Sequence, residues 1–233
     1  MTKPVCAVIG VGPGNGAAIA RRFGREGYAV ALVARTPGAL QDLAREIDGS
    51  RAYPCDASDP AALEATLKAI QRDLGEVDVL VYNAGSGSWG TVEEITPAAF
   101  EAAWRVNALG ALVAGQQVVP AMKRKGRGSI IHIGATASRR GGPKSAAFSS
   151  AKGAQRLLAE SMARHLWPAG IHVALVVIDG VVDLARTRER MPDKPDSFFV
   201  KPDDVADAVF SIARQPRSAW SFEVEARPFG ERW

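Results

Sequence analysis

Cysteine is nearly absent from this 233-residue chain, which has only Cys6 and Cys55 and no Cys-x-x-Cys pair. That excludes a disulfide-stapled scaffold. A chain of this length buries its apolar surface without disulfides or metals, and no metal site is expected. Both thiols sit in or beside strand-like stretches and are expected buried and reduced, as in a cytoplasmic protein. No apolar run approaches the roughly 18 residues of a membrane helix. Met1-Thr2-Lys3-Pro4 leads straight into a strand, so no signal peptide is expected. Repeats, low-complexity tracts and linkers are missing, and residues 1–233 read as a single domain. An excess of one charge sign is small, with 29 Lys and Arg against 25 Asp and Glu leaving +4. It reads as an ordinary solvated surface, or as a mild attraction for a phosphate-rich small ligand. The basic run Lys123–Lys125 with Arg127 is too short for a nucleic-acid surface. Phenols are few as well. The three tyrosines, Tyr28, Tyr53 and Tyr82, lie in or beside early strand-like runs, so no later element carries one.

What is present is an alternation of apolar runs and helix-period segments. Strands are expected at 5–9, 28–34, 52–54, 77–82, 129–133, 172–178 and 219–224. Helices are expected at about 17–25, from Thr36 as a cap to near Asp48, and around Leu63, Leu67, Ile70 and Leu74. Others should run from Phe100 through Asn107 towards Met122 with a break near Gly110, follow Phe148 through Leu158, Met162 and Leu166, and cover 202–213. Such alternation predicts a parallel sheet covered on both faces. The polar segment 181–200 fits either a mobile flap or a plain surface excursion.

The first strand ends in Gly10-Val11-Gly12-Pro13-Gly14-Asn15-Gly16 and a helix follows. Glycine lets a backbone turn sharply and approach a pyrophosphate, and the helix N-terminus offers N–H groups to the anion. Gly10-x-Gly12 starts a dehydrogenase-like fingerprint whose third glycine falls on Asn15. Gly10-x-x-x-Gly14-x-Gly16 fits better, because Ala17–Ala20 continues as a packed helix. Arg35 ends the second strand with no acid beside it. A guanidinium there suits a 2′-phosphate, so NADP(H) is preferred and NAD(H) remains possible.

Together these residues resemble the short-chain dehydrogenase/reductase family over nearly the whole chain. The resemblance implies an α/β, doubly wound Rossmann fold with a mostly parallel seven-stranded sheet and helices on both faces. Gly10, Gly14, Asn15 and Gly16 match its glycine loop. Asp56 with Ala57 matches the acid that holds the adenine amino group, and Asn83-Ala84-Gly85 the motif ending the fourth strand. Asn107 matches the asparagine of a water-linked proton path. Lys152 matches the lysine of a Tyr-x-x-x-Lys motif, which also holds ribose. Asp179-Gly180, with Val182 beyond, matches a Pro-Gly turn with Asp in place of Pro.

Two departures set this chain apart. Phe148 stands four residues before Lys152, where the family has its proton-donating tyrosine. Ala135, thirteen residues before Phe148, stands where a serine hydroxyl orients the substrate oxygen. The resemblance therefore points to an atypical branch with Phe for Tyr. General acid–base catalysis is worth roughly 10²–10⁴-fold, and neither residue supplies it. Thr136, Ser138, Ser145, Ser149 and Ser150 are nearby hydroxyls, though poor acids. His132 reads as a packed core side chain. Two functions follow. The first is an NADP(H)-dependent oxidoreductase acting on an unidentified small molecule through an altered site. The second is an inactive NADP(H)-binding module, a sensor or non-catalytic subunit. Relatives of this family imply a homodimer or homotetramer through helices 100–122 and 148–166.

Overall fold

Five consecutive apolar residues, Val5–Ile9 (β1), are buried on both sides and place β1 at the centre of a sheet. The computed structural model describes residues 3–230. Around β1 stand β2 (Ala29–Ala34), β3 (Arg51–Pro54), β4 (Val77–Tyr82), β5 (Gly128–Ala135) and β6 (Ile171–Ile178). Two two-residue strands, β7 (Val181–Val182) and β8 (Phe199–Val200), pair with each other, and β9 (Glu223–Ala226) returns to the main sheet. The sheet order is β3-β2-β1-β4-β5-β6-β9, and every pairing is parallel. The order reverses between β1 and β4, which opens a crevice at the carboxyl ends of those strands.

Alternate residues of β1 feed two cores. Val5, Ala7 and Ile9 pack with α3 (Pro60–Leu74), α5 (Gly110–Lys125) and α6 (Ala146–Leu166). Cys6 and Val8 pack on the other face with α1 (Asn15–Arg25), α2 (Pro37–Glu46) and α8 (Pro202–Ala213). Two layers of helices on one parallel sheet give the doubly wound α/β fold expected from the alternation. Helix ends are set locally. Asp59 accepts from Ala61 N and Ala62 N at 3.0 and 3.1 Å, with Pro60 opening the helix. Among the described residues no helix is long and apolar enough to cross a membrane, and no cluster of three or more His, Cys, Asp or Glu is placed to hold a metal. Cys6 and Cys55 are both free and buried. Burial pushes both thiols up from their ordinary pKa.

Three expectations need correction. The last strand is Glu223–Ala226, not 219–224, because its alternation is charged. Glu223 accepts from Arg156 Nε at 2.6 Å, and Glu225 pairs with Arg139 and Arg227. Gly110 does not break its helix, having φ −61° and ψ −37°. α4 (Pro97–Trp104) instead passes through a π turn at Arg105–Leu109 into α5. Gly110 is needed for space, since a side chain there would overlap Tyr82 and the Ala57 carbonyl. Finally, Phe148 lies inside the first turn of α6 rather than before it.

At Gly10 the glycine requirement is absolute. Its φ is +95°, and a Cβ would lie 2.5 Å from Ala84 Cα. Gly10→Ala should cost about 1–3 kcal/mol or more of unfolding free energy in urea. Gly12→Ala, with nothing within 4 Å of its Cβ, should change it by less than about 0.5 kcal/mol. Equal losses would show that the loop tolerates side chains uniformly.

Candidate active site

The carboxyl ends of β1, β2 and β4 and the start of α1 border one open cleft of about 1270 Å³. Its wall includes the sequence-predicted Gly10, Gly14, Asn15, Gly16, Arg35, Asp56, Ala57, Asn83, Ala84, Gly85 and Val182. Residues 183–187, within the segment 181–200 read as a flap or surface excursion, line it too, as do Thr36, Ser58 and Arg105, which no cofactor motif marked. Gly180 and Lys152 stand outside the lining. Gly180 instead packs where a Cβ would meet Pro228 and Val200 at 2.8 Å.

The glycine loop separates the two spacing patterns. A Cβ at Gly16 would meet Val11 Cα at 2.8 Å, and one at Gly14 would meet Leu184 Cδ2 at 2.7 Å. Gly10 and Gly16 are thus enforced by backbone contact, whereas Gly14 faces only the movable end of Leu184 and Gly12 faces nothing. Asn83 Nδ2 donates to Gly10 O at 2.6 Å and ties the end of β4 to the loop. The Asn15 side-chain oxygen is buried there without a protein partner. A helix start, enforced glycines and an orphaned polar atom on one wall fit a pyrophosphate-bearing ligand. Across the cleft, Arg35 is exposed. The Ser58 backbone N–H, 2.9 Å away, holds the Asp56 carboxyl below its usual range, aided by the Ser58 side chain and the Arg35 charge.

Behind Gly85 lies a second layer. A Cβ on Gly85 would be 3.4 Å from Asn107 Oδ1 and 3.5 Å from Lys152 Nζ. Asn107 is fully buried in the π turn. Its Nδ2 donates to Ser86 O and Ala103 O, both at 2.8 Å, while Oδ1 has no protein partner. By taking the Ala103 carbonyl, one turn earlier, the side chain replaces a backbone bond and accommodates the widened turn. Tyr82 Oη supports the same turn by donating to Val106 O at 2.5 Å.

Lys152 is buried, and its Nζ donates to Ile133 O and Gln155 Oε1, both at 2.9 Å. Burial lowers its pKa to about 8. Gln155 is fully buried, one turn beyond Lys152 on the same face of α6. No sequence pattern marks Gln155, because a glutamine on a helix carries no motif. His132 is a fully buried core side chain, as expected. Burial, and then the Lys152 charge, lower its pKa to about 4. Its two ring nitrogens lack protein partners.

Phe148 is half-buried and Ala135 ends β5, so neither expected position carries a hydroxyl. Four of the nearby hydroxyls are engaged internally. Thr136 Oγ1 donates to Asp179, and Ser138 Oγ accepts from Ala135 N at 3.1 Å. Ser145 Oγ bonds Gly142 and Ser149 Oγ. Asp179, where a Pro was expected, is held by Arg227 as well. Burial pushes its carboxyl up, but Thr136, Arg227 and Arg140 outweigh that and leave it below the ordinary value.

Comparison with known proteins agrees with this geometry. A family model for short chain dehydrogenase matches residues 4–195. The crystal structure of a short-chain dehydrogenase from Rhodopseudomonas palustris is 35% identical, with a TM-score of 0.84 over 97% of this chain and 99% of that one. A metagenomic short-chain oxidoreductase solved in complex with NADP is 31% identical, with a TM-score of 0.85 over 99% of each chain. An uncharacterized oxidoreductase of Staphylococcus aureus strain USA300 is 26% identical over 230 residues, 98% of either chain. With the parallel sheet, the glycine-lined cleft and these likenesses together, the chain belongs to the short chain dehydrogenase family and is an oxidoreductase of that type.

Proposed function

We propose that this protein is an NADP(H)-dependent oxidoreductase of an atypical branch, with Phe148 and Ala135 in place of the family's tyrosine and serine. The observation that carries the reading is the single cleft in which the glycine loop, Arg35, Asp56 and Asn83–Gly85 meet. Bound there, NADPH supplies a hydride to an electrophilic carbon. The start of α1 receives the pyrophosphate, Arg35 the 2′-phosphate and Asp56 the adenine amino group. Lys152 adds positive potential behind Gly85, and Asn107 braces the π turn that holds the wall. The NADP complex of the metagenomic relative supports the cofactor choice. A homodimer or homotetramer belongs to the same proposal, since Phe100, Trp104, Leu112 and Leu157 stay exposed on α4, α5 and α6.

Arg35→Asp tests the cofactor assignment. Replacing a charge-assisted phosphate partner by an acid should weaken NADPH binding by about 10- to 100-fold, and NADH binding by far less. Fluorescence titration of both cofactors measures this. Equal losses would show that the guanidinium never meets the 2′-phosphate. A second reading, a non-catalytic NADP(H)-binding module, draws on the engaged hydroxyls of Thr136, Ser138, Ser145 and Ser149. NADPH binding without turnover of any electrophile would favour it.

A further inference from the structure

Trp89 is 68% exposed on the loop after Gly85, and its indole lies against the Phe148 ring with centroids 5.2 Å apart and planes at 43°. A Cβ on Gly87 would sit 3.1 Å from the Phe148 ring and 3.4 Å from Trp89 Nε1, so both rings border one small space. A carboxylate is close by. Glu94 Oε2 accepts from Thr91 N at 2.8 Å and would be 3.4 Å from a Cβ on Gly90. Thus the residue that replaces the phenol forms half of an aromatic pair, on a loop that also carries an acid.

Chemistry joins this pair to the missing hydroxyls. Hydride addition to a ketone leaves an alkoxide that must gain a proton, the step for which a general acid is worth about 10²–10⁴-fold. Hydride addition to an iminium ion forms one C–H bond and moves the C=N π pair onto nitrogen. The product is a neutral amine, the dihydronicotinamide is oxidised, and no proton is taken up. A cation is also what an aromatic face holds by its quadrupole. Resting on the reading that NADPH is the hydride source, we propose that this site takes organic cations of the iminium class, held by Trp89 and Phe148. Cations of this region oppose it, and Arg105 lines the adjoining cleft. Lys152 is buried and bonded to Ile133 and Gln155. Lys144 is exposed, and its carbonyl accepts from Gly90 N at 2.9 Å.

The test begins with NADPH-loaded protein and a non-reducible pair of probes, phenyltrimethylammonium and its uncharged isostere tert-butylbenzene. Calorimetry should show the cation bound about 2- to 30-fold more tightly, and Trp89→Ala should abolish that preference. Phe148→Leu should reduce it, which provides a second variant if the first misfolds. Turnover is then followed with N-methyl-3,4-dihydroisoquinolinium and with 1-tetralone. The native protein should reduce the iminium at least about 100-fold faster than the ketone. Equal affinity for the two probes, a preference that survives Trp89→Ala, or ketone reduction as fast as iminium reduction would each overturn the proposal. Iminium left unreduced by protein that binds NADPH sinks the substrate class alone. Failure to bind NADPH at all sinks the reading beneath it.

Discussion

Phe148→Tyr combined with Ala135→Ser should raise NADPH-dependent ketone reduction by roughly 10²–10⁴-fold, the usual contribution of a positioned general acid. The scaffold for that gain is already in place. Phe148 lies one helical turn before Lys152 on α6, and Lys152 Nζ is fixed at 2.9 Å by both Ile133 O and Gln155 Oε1. An ammonium one turn away favours the ionised phenol and so makes the phenol a better acid. Ala135 ends β5, and its N–H is held by Ser138 Oγ at 3.1 Å, so the backbone that would carry the serine is fixed. NADPH affinity should change little, because neither position lines the cofactor cleft. Steady-state absorbance against a ketone panel, beside NADPH titrations of both proteins, separates the outcomes. Brisk ketone turnover by the native chain, with no gain in the double variant, would mean that an unrecognised group already donates the proton.

The second large effect concerns stability against pH. Burial lowers the Lys152 pKa to about 8 from an ordinary 10.5. The unfolded chain therefore binds more protons than the folded one between those values, and folding stability from this group must rise with pH across that window. Below pH 8 both states hold the proton and the penalty is complete. Above about 10.5 both states are neutral and it vanishes. The span corresponds to about 3 kcal/mol. Other groups titrate there too, since burial raises Tyr53 and Cys55. The measured quantity is thus the difference between the native protein and Lys152→Met in urea unfolding from pH 7.5 to 10.5. That difference should favour the variant at low pH and shrink as pH rises. A difference that is flat with pH would place the ammonium in a solvated setting.

Much of this molecule was legible in its residues. The five inner strands β1, β2, β4, β5 and β6 followed from apolar runs, because a parallel sheet buried on both faces needs near-continuous apolar residues. The spacing Gly10-x-x-x-Gly14-x-Gly16 could be preferred over Gly10-x-Gly12 because the small, buried Ala17, Ala18 and Ala20 continue as a packed helix. What stayed hidden depended on partners distant in sequence. β9 alternates Glu with apolar residues, and it reads as a strand only once Arg139 and Arg156 are known to stand beside it. The π turn arises from side-chain bonds of Tyr82 and Asn107 that no periodicity encodes. Asp179, in place of the expected Pro, is paired with Arg227, 48 residues later, and accepts a hydrogen bond from Thr136. Trp89 sits on an irregular loop whose path no pattern fixes, so its contact with Phe148 emerged only from the fold.

At the centre of the proposed function is a cleft that would grip a phosphorylated dinucleotide beside a site where Phe148 and Ala135 stand in place of the family's hydroxyls. Isothermal titration of NADPH into the native protein tests that most directly. The expected result is one NADPH per chain, bound more tightly than NADH. No heat of binding for either cofactor, in protein shown to be folded, would contradict it and leave the glycine loop as packing alone.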